Sequence, residues 1–149
     1  MNVLQGRVVA GRRVVGPGTM LLLWLLVLPA WAEISVTDDA GQAVILASPA
    51  QRIISLAPYI TELLFAAGAG QALVGVTEFS DYPEAARSLA QVGGGSGLDL
   101  EAIIALQPDL VVAWQSGNPR GQVERLQSLG ITVFLSEPRR LQDVPDTPR

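Results

Sequence analysis

From residue 34 onward, short apolar runs alternate with longer segments in which apolar residues recur every three or four positions. Ile34-Ser35-Val36-Thr37 and Gln42-Ala43-Val44-Ile45-Leu46 flank Asp38-Asp39-Ala40-Gly41, and β-formers around an Asp/Gly turn predict a β-hairpin. Pro49 and Ala50 end it. Arg52-Ile53-Ile54-Ser55-Leu56 has no polar alternation, the pattern of a parallel strand covered on both faces. A helix is predicted over 59–67, stopped at Gly68-Ala69-Gly70, where glycine takes left-handed backbone without steric cost. Residues 73–76 form the next strand. Helical turns follow near 83–87, then a minimal strand at Gln91-Val92 and a mobile connector at Gly93-Gly94-Gly95-Ser96-Gly97. Asp99 is expected to cap a helix over 100–106, with Leu98 and Ile103 as its hydrophobic staple. Leu110-Val111-Val112-Ala113 is the clearest buried strand. Asn118 and Pro119 are expected to cap and open a helix reaching Leu129, with Val123, Leu126 and Leu129 on its inner face. Residues 131–135 make the last strand, and 140–144 begin another helix. Strands and helices joined by short connections predict right-handed βαβ units. The fold class is α/β, a Rossmann-like parallel sheet with helices on both faces, preceded by a β-hairpin.

In such a sheet, ligands bind beyond the carboxyl ends of the strands. Four segments fall there: Ser55-Leu56-Ala57-Pro58-Tyr59, Phe79-Ser80-Asp81-Tyr82, the glycine stretch, and Trp114-Gln115-Ser116-Gly117-Asn118. They carry Tyr59, Phe79 and Trp114 among small polar groups, a composition suited to a large, partly apolar ligand. Core packing is the plainer role for Trp114 and an alternative for Tyr59.

Composition narrows the chemistry. The hydrophobic share is 49% and mean hydropathy is +0.36. Much of the excess lies in residues 20–28, an apolar run too short to span a bilayer comfortably. Arg7, Arg12 and Arg13 precede it and Pro29-Ala30-Trp31-Ala32 follows, so residues 1–32 read as a secretory signal peptide cleaved after Ala32. A buried or anchoring helix, a twin-arginine signal at Arg12-Arg13 and a start at Met20 are the alternatives. Removing these residues takes away three arginines and no acids, moving the formal charge from −4 to −7. An acidic product does not favour nucleic acid or an anionic membrane surface. With Cys 0 and His 0, disulfides, thiolate metal sites, a lipidated cysteine and a histidine-based triad are all excluded. The expected product is exported to the periplasm and soluble, with no stable membrane insertion, no cofactor and no metal.

Enzymatic readings find little purchase. The glycine stretch lacks the Gly-Lys-Ser/Thr ending of a phosphate loop, and the chain has no lysine. No Gly-x-Ser-x-Gly elbow is present. Glu78 and Asp81 remain as an acid/base pair for a small exported α/β hydrolase, the alternative to a binding protein.

Further residues carry a resemblance. Ile53-Ile54-Ser55-Leu56-Ala57-Pro58, Thr61-Glu62-Leu63-Leu64-Phe65-Ala66-Ala67-Gly68, Ser80-Asp81-Tyr82-Pro83, Leu98-Asp99-Leu100-Glu101 and Pro108-Asp109-Leu110-Val111 occur in order. From Arg52 to about Val133 the chain resembles the periplasmic cobalamin-binding proteins of ABC importers (the BtuF family). The wider superfamily also binds haem and ferric siderophores. The resemblance implies a corrinoid as transported ligand and an ABC permease of the inner membrane as partner. It places Phe79 against the corrin, with Tyr59, Pro58, Ser80, Asp81 and Gly95 as further ligand-binding positions. Gly95 stands where the family often has tryptophan, which leaves the pocket roomier and the ligand open between cobalamin, haem and siderophore. The acidic residue that docks onto the permease falls on Glu101. In the family, two lobes joined by a long helix enclose the ligand. Residues 33–51 are then the hairpin, 52–138 the N-terminal lobe and 139–149 the start of the inter-lobe helix, in a chain expected to be truncated.

Overall fold

The computed structural model describes residues 33–138. The signal peptide expected at 1–32 and the inter-lobe helix expected at 139–149 lie outside the described residues.

The chain opens with the antiparallel strands β1 (Ile34–Thr37) and β2 (Ala43–Leu46), paired from Ile34 with Leu46 to Thr37 with Ala43. Asp38 organises their turn: its Oδ1 accepts from the backbone N–H of Ala40 and of Gln42, at 3.0 and 2.8 Å. Strand β3 (Ile53–Ser55) enters the main sheet and leads into α1 (Pro58–Ala66). Proline suits this helix start, where its missing N–H costs no hydrogen bond. A short 3-10 turn (Gly70–Ala72) precedes β4 (Leu73–Val76), and a second (Glu84–Ser88) precedes β5 (Ala90–Gln91). Next come β6 (Gly93–Gly94), β7 (Gly97–Leu98), α2 (Leu100–Ala105), β8 (Leu110–Trp114), α3 (Arg120–Ser128) and β9 (Val133–Ser136).

The main sheet has the order β5-β4-β3-β8-β9, and every adjacent pair is parallel. The chain starts in the middle, works out to β5, then returns to the other side of β3. The strand order therefore reverses between β3 and β8. Period-two alternation splits the side chains into two cores. Ile54, Val111, Ala113 and Val133 face one side, where Ile103 of α2 and Val123 and Leu126 of α3 cover them. Ile53, Leu73 and Val112 face the other, under Ile60 of α1. Asp99 caps α2 as expected, its Oδ1 accepting from the N–H of Ala102 at 2.9 Å, and Leu98 and Ile103 share one core.

Three local expectations are corrected. The glycine stretch is a tight antiparallel hairpin rather than a mobile connector: Gly93 pairs with Leu98 and Gly94 with Gly97. Gly93 and Gly97 take φ of 133° and 117°, and a Cβ on Gly93 would meet the Gly97 carbonyl at 2.5 Å, so this closure needs glycine. Asn118 does not cap α3, whose start has no side-chain cap; its amide bridges two loops, as described below. Leu129 is 46% exposed instead of inward-facing, because the helix ends at Ser128 and only Val123 and Leu126 reach the core.

The opening hairpin is stitched to the sheet's free edge. Asp39 donates its N–H to the carbonyl of Leu135 at 3.0 Å, and its carboxylate accepts from the N–H of Glu137 at 2.7 Å. Paired in this way, the backbone of edge strand β9 is less open to a foreign strand.

Candidate functional site

The reversal of strand order between β3 and β8 leaves a crevice at their carboxyl ends, because the following segments depart to opposite faces. A groove of about 320 Å³ occupies this position. Its walls come from the end of β3 (Leu56, Pro58), the loop after β4 (Thr77, Glu78, Phe79), the β6–β7 hairpin (Gly94, Gly95) and the loop after β8 (Trp114, Asn118). All four expected loops converge.

Asn118 fixes the crevice floor. Its Oδ1 accepts from the N–H of Trp114 at 2.6 Å, and its Nδ2 donates to the carbonyl of Leu56 at 2.9 Å. One side chain thus ties the loops on both sides of the switch point. A neighbouring network sets the start of α1. Thr61 Oγ1 lies 2.9 Å from Ser55 Oγ and 3.2 Å from Ser80 Oγ, and Ser55 Oγ donates to the carbonyl of Ala57 at 2.9 Å. All three hydroxyl side chains are buried.

Phe79 projects from the rim. It is 77% exposed and has φ of +65°, a left-handed conformation uncommon for a bulky residue. Such conformations persist where the surroundings fix them, and they gather at functional sites. The N–H of Ser80 closes the turn onto the carbonyl of Thr77 at 3.3 Å, and Ser80 is anchored in the hydroxyl network. The aromatic is therefore held outward by its buried neighbour.

Of the residues expected at the site, the groove lining brings together Phe79, Pro58 and Gly95. A Cβ on Gly95 would meet nothing within 4 Å, so the space over this position is open. Ser80 is turned inward, 5% exposed, and Asp81 is exposed outside the lining, where its carbonyl accepts from Arg87. Tyr59 lies behind the groove wall. Its ring meets Trp114 edge-on with centroids 5.8 Å apart, and its hydroxyl is 3.4 Å from the carbonyl of Ser136. Burial, followed by the negative charges of Glu137 and Asp39, raises its phenol above the usual value of 10.0. Trp114 corrects the expectation of core packing: it is 37% exposed and lines the groove. As the last residue of β8 it lies beyond the covered part of the sheet. Glu101 is exposed on the first turn of α2, outside the groove lining.

Thr77 and Glu78 line the groove without having been picked out as ligand contacts. Thr77 is 6% exposed, and its Oγ1 has no hydrogen-bond partner. Its position just past the buried end of β4 was the available signal. A second hollow, of about 310 Å³, lies beyond Trp114 between the opening hairpin's turn and α3. Among the described residues no cluster of three His, Cys, Asp or Glu side chains could hold a metal, and no helix is long and apolar enough to cross a membrane.

A doubly wound parallel sheet with an aromatic-rimmed groove at its switch point defines an α/β ligand-cleft lobe. The chain belongs to the periplasmic binding protein family, whose profile matches residues 53–144. It is 47% identical over 100 residues to a vitamin B12-binding protein of Vibrio vulnificus, covering 67% of this chain and 37% of that protein. The crystal structure of a periplasmic vitamin B12 binding protein of Vibrio cholerae superposes with a TM-score of 0.62 at 45% identity, over 64% of this chain and 37% of that one. A periplasmic heme binding protein from Pseudomonas aeruginosa superposes with a TM-score of 0.56 at 30% identity, over 59% and 32%. The chain thus spans about a third of the length of these relatives.

Proposed function

We propose that this chain supplies one wall of the ligand cleft of a periplasmic corrinoid-binding protein, which delivers cobalamin or a related corrinoid to an ABC importer. The observation that carries the reading is Phe79, an apolar ring held outward at the rim of the switch-point groove. An aromatic face there suits a flat macrocycle, and the floor of Asn118, Pro58 and glycine backbone lets the ring system approach closely. Corrinoid is favoured over haem because the relatives named for vitamin B12 are 45% and 47% identical, against 30% for the heme binding protein. Export by a signal at 1–32, with the periplasm as destination, is part of this reading and is supported by the match to the periplasmic binding protein family. The exposed carboxylate of Glu101 is the contact for an arginine of the permease, apart from the ligand groove.

Equilibrium dialysis against cyanocobalamin and haemin, each followed by its own absorbance, tests the reading. Saturable retention of cyanocobalamin with weaker retention of haemin is expected. Retention of haemin alone would overturn it.

A further inference from the structure

We infer that Glu78 sets the charge class of the ligand, admitting an uncharged macrocycle fringed with amides and disfavouring one that carries carboxylates. This rests on the proposed reading of the groove as a corrinoid site. Glu78 is the ionisable side chain in the groove lining, and no arginine lines that groove to offset it. The four arginines of the described region are placed elsewhere. Arg52 donates to the carbonyls of Leu106 and Gln107, and Arg87 to that of Asp81. Arg120 pairs with Glu124, and Arg125 lies in the last turn of α3.

The position of the carboxylate is built rather than incidental. The backbone N–H of Glu78 donates to the carbonyl of Gly93 at 2.8 Å, and the Gly95 N–H approaches Oε2 at 3.4 Å. A Cβ on Gly94 would collide with the Glu78 carboxylate, so the absent side chain is what gives it room. Next to it, a hollow lined by Glu78, Ser96 and Asp99 adds a second acid to the same side of the molecule. Asp99 already accepts from the α2 backbone.

A corrin bears neutral amide side chains, whose N–H groups can donate to a carboxylate in a charge-assisted hydrogen bond. Haem bears propionates, which meet a like charge here with no cation among the described lining residues to relieve it. The wall therefore discriminates by repulsion as well as by attraction.

The test compares cyanocobalamin with each of its monocarboxylic acids, in which one propionamide is hydrolysed. Equilibrium dialysis at low salt is run on the 149-residue chain and on Glu78→Gln, which keeps an oxygen acceptor for the Gly95 N–H. The chain should prefer cyanocobalamin over at least one acid isomer by about three- to tenfold, as expected for two like charges at a partly exposed site. The preference should fall to near unity in Glu78→Gln, and should shrink in the unmodified chain as salt is raised. The salt series needs no variant, so poor folding of Glu78→Gln would not remove the test. Equal affinity for cyanocobalamin and every acid isomer, or a preference unaltered by Glu78→Gln, overturns the inference while leaving the corrinoid reading intact. Failure of both proteins to bind cyanocobalamin at all overturns the reading itself, and the inference with it.

Discussion

Phe79 holds an uncommon backbone conformation and an exposed ring at once, two costs that a purely structural residue would not combine. Phe79→Ala should weaken cobalamin binding by about 1–3 kcal/mol, the value of a buried aromatic contact. Titration calorimetry giving the same affinity would remove it from the site. The outward pose depends in turn on Ser80, anchored by Thr61 in the buried network. Tyr59 behaves differently, since it stands behind the wall. Its phenol is raised mainly by burial. Below the unperturbed value of 10.0 the group is protonated whether the chain is folded or not, so it adds no pH dependence. Above that value the unfolded chain gives up the proton more readily than the folded one, and stability falls as pH rises. Thermal denaturation between about pH 9 and pH 11 should show a shallower loss in Tyr59→Phe than in the unmodified chain. Equal slopes would mean that the phenol is not desolvated.

At the scale of elements, strand order opens the groove and Asn118 holds its floor, tying the segment after β3 to the one after β8. Asn118→Ala removes a donor and an acceptor from two backbone groups, and should cost about 1–3 kcal/mol in urea denaturation. Unchanged stability would show that the loops hold without the bridge. The elements themselves were legible in the sequence. Short, β-branched apolar runs such as Leu110-Val111-Val112-Ala113 are what a strand in a sheet covered on both faces requires. Asp99 and Gly68 mark helix ends by local chemistry alone. Long-range partners were not legible. Asn118 reads as a helix cap because Asn before Pro is locally a capping pair, yet its amide finds Leu56, 62 residues away in sequence. Gly93 and Gly97 read as mobile for the same reason: glycine's conformational freedom serves a loose connector and the positive φ of a tight hairpin alike, and only the pairing partner decides. Phe79 and Gly95 could be located from their place after strands, whereas Glu78 entered the groove through glycine neighbours that leave it space.

At the scale of the whole molecule, the groove is one wall. A good small-molecule site encloses about 70–90% of its ligand, whereas the groove of the described residues is a single wall running from Leu56 to Pro119. The 149-residue chain should therefore bind cyanocobalamin more weakly than the Vibrio cholerae protein does in the same buffer. Comparable tight binding by the monomer, established by sedimentation, would contradict a cleft with two walls. Glu101 belongs to this scale too: Glu101→Arg should reduce permease-dependent uptake into proteoliposomes without altering ligand affinity, and undiminished uptake would count against docking through that residue. In the proposed function the corrinoid enters the switch-point groove rather than any other hollow of the described residues. Amide chemical shifts of the isotope-labelled chain, followed while cyanocobalamin is added, test it most directly. Movements should be confined to residues 55–59, 77–80, 93–97 and 114–118, with Phe79 and Gly95 among the largest. Movements centred on the hollow between Gln42 and α3, or none at millimolar ligand, about the weakest affinity still worth reading, would contradict it.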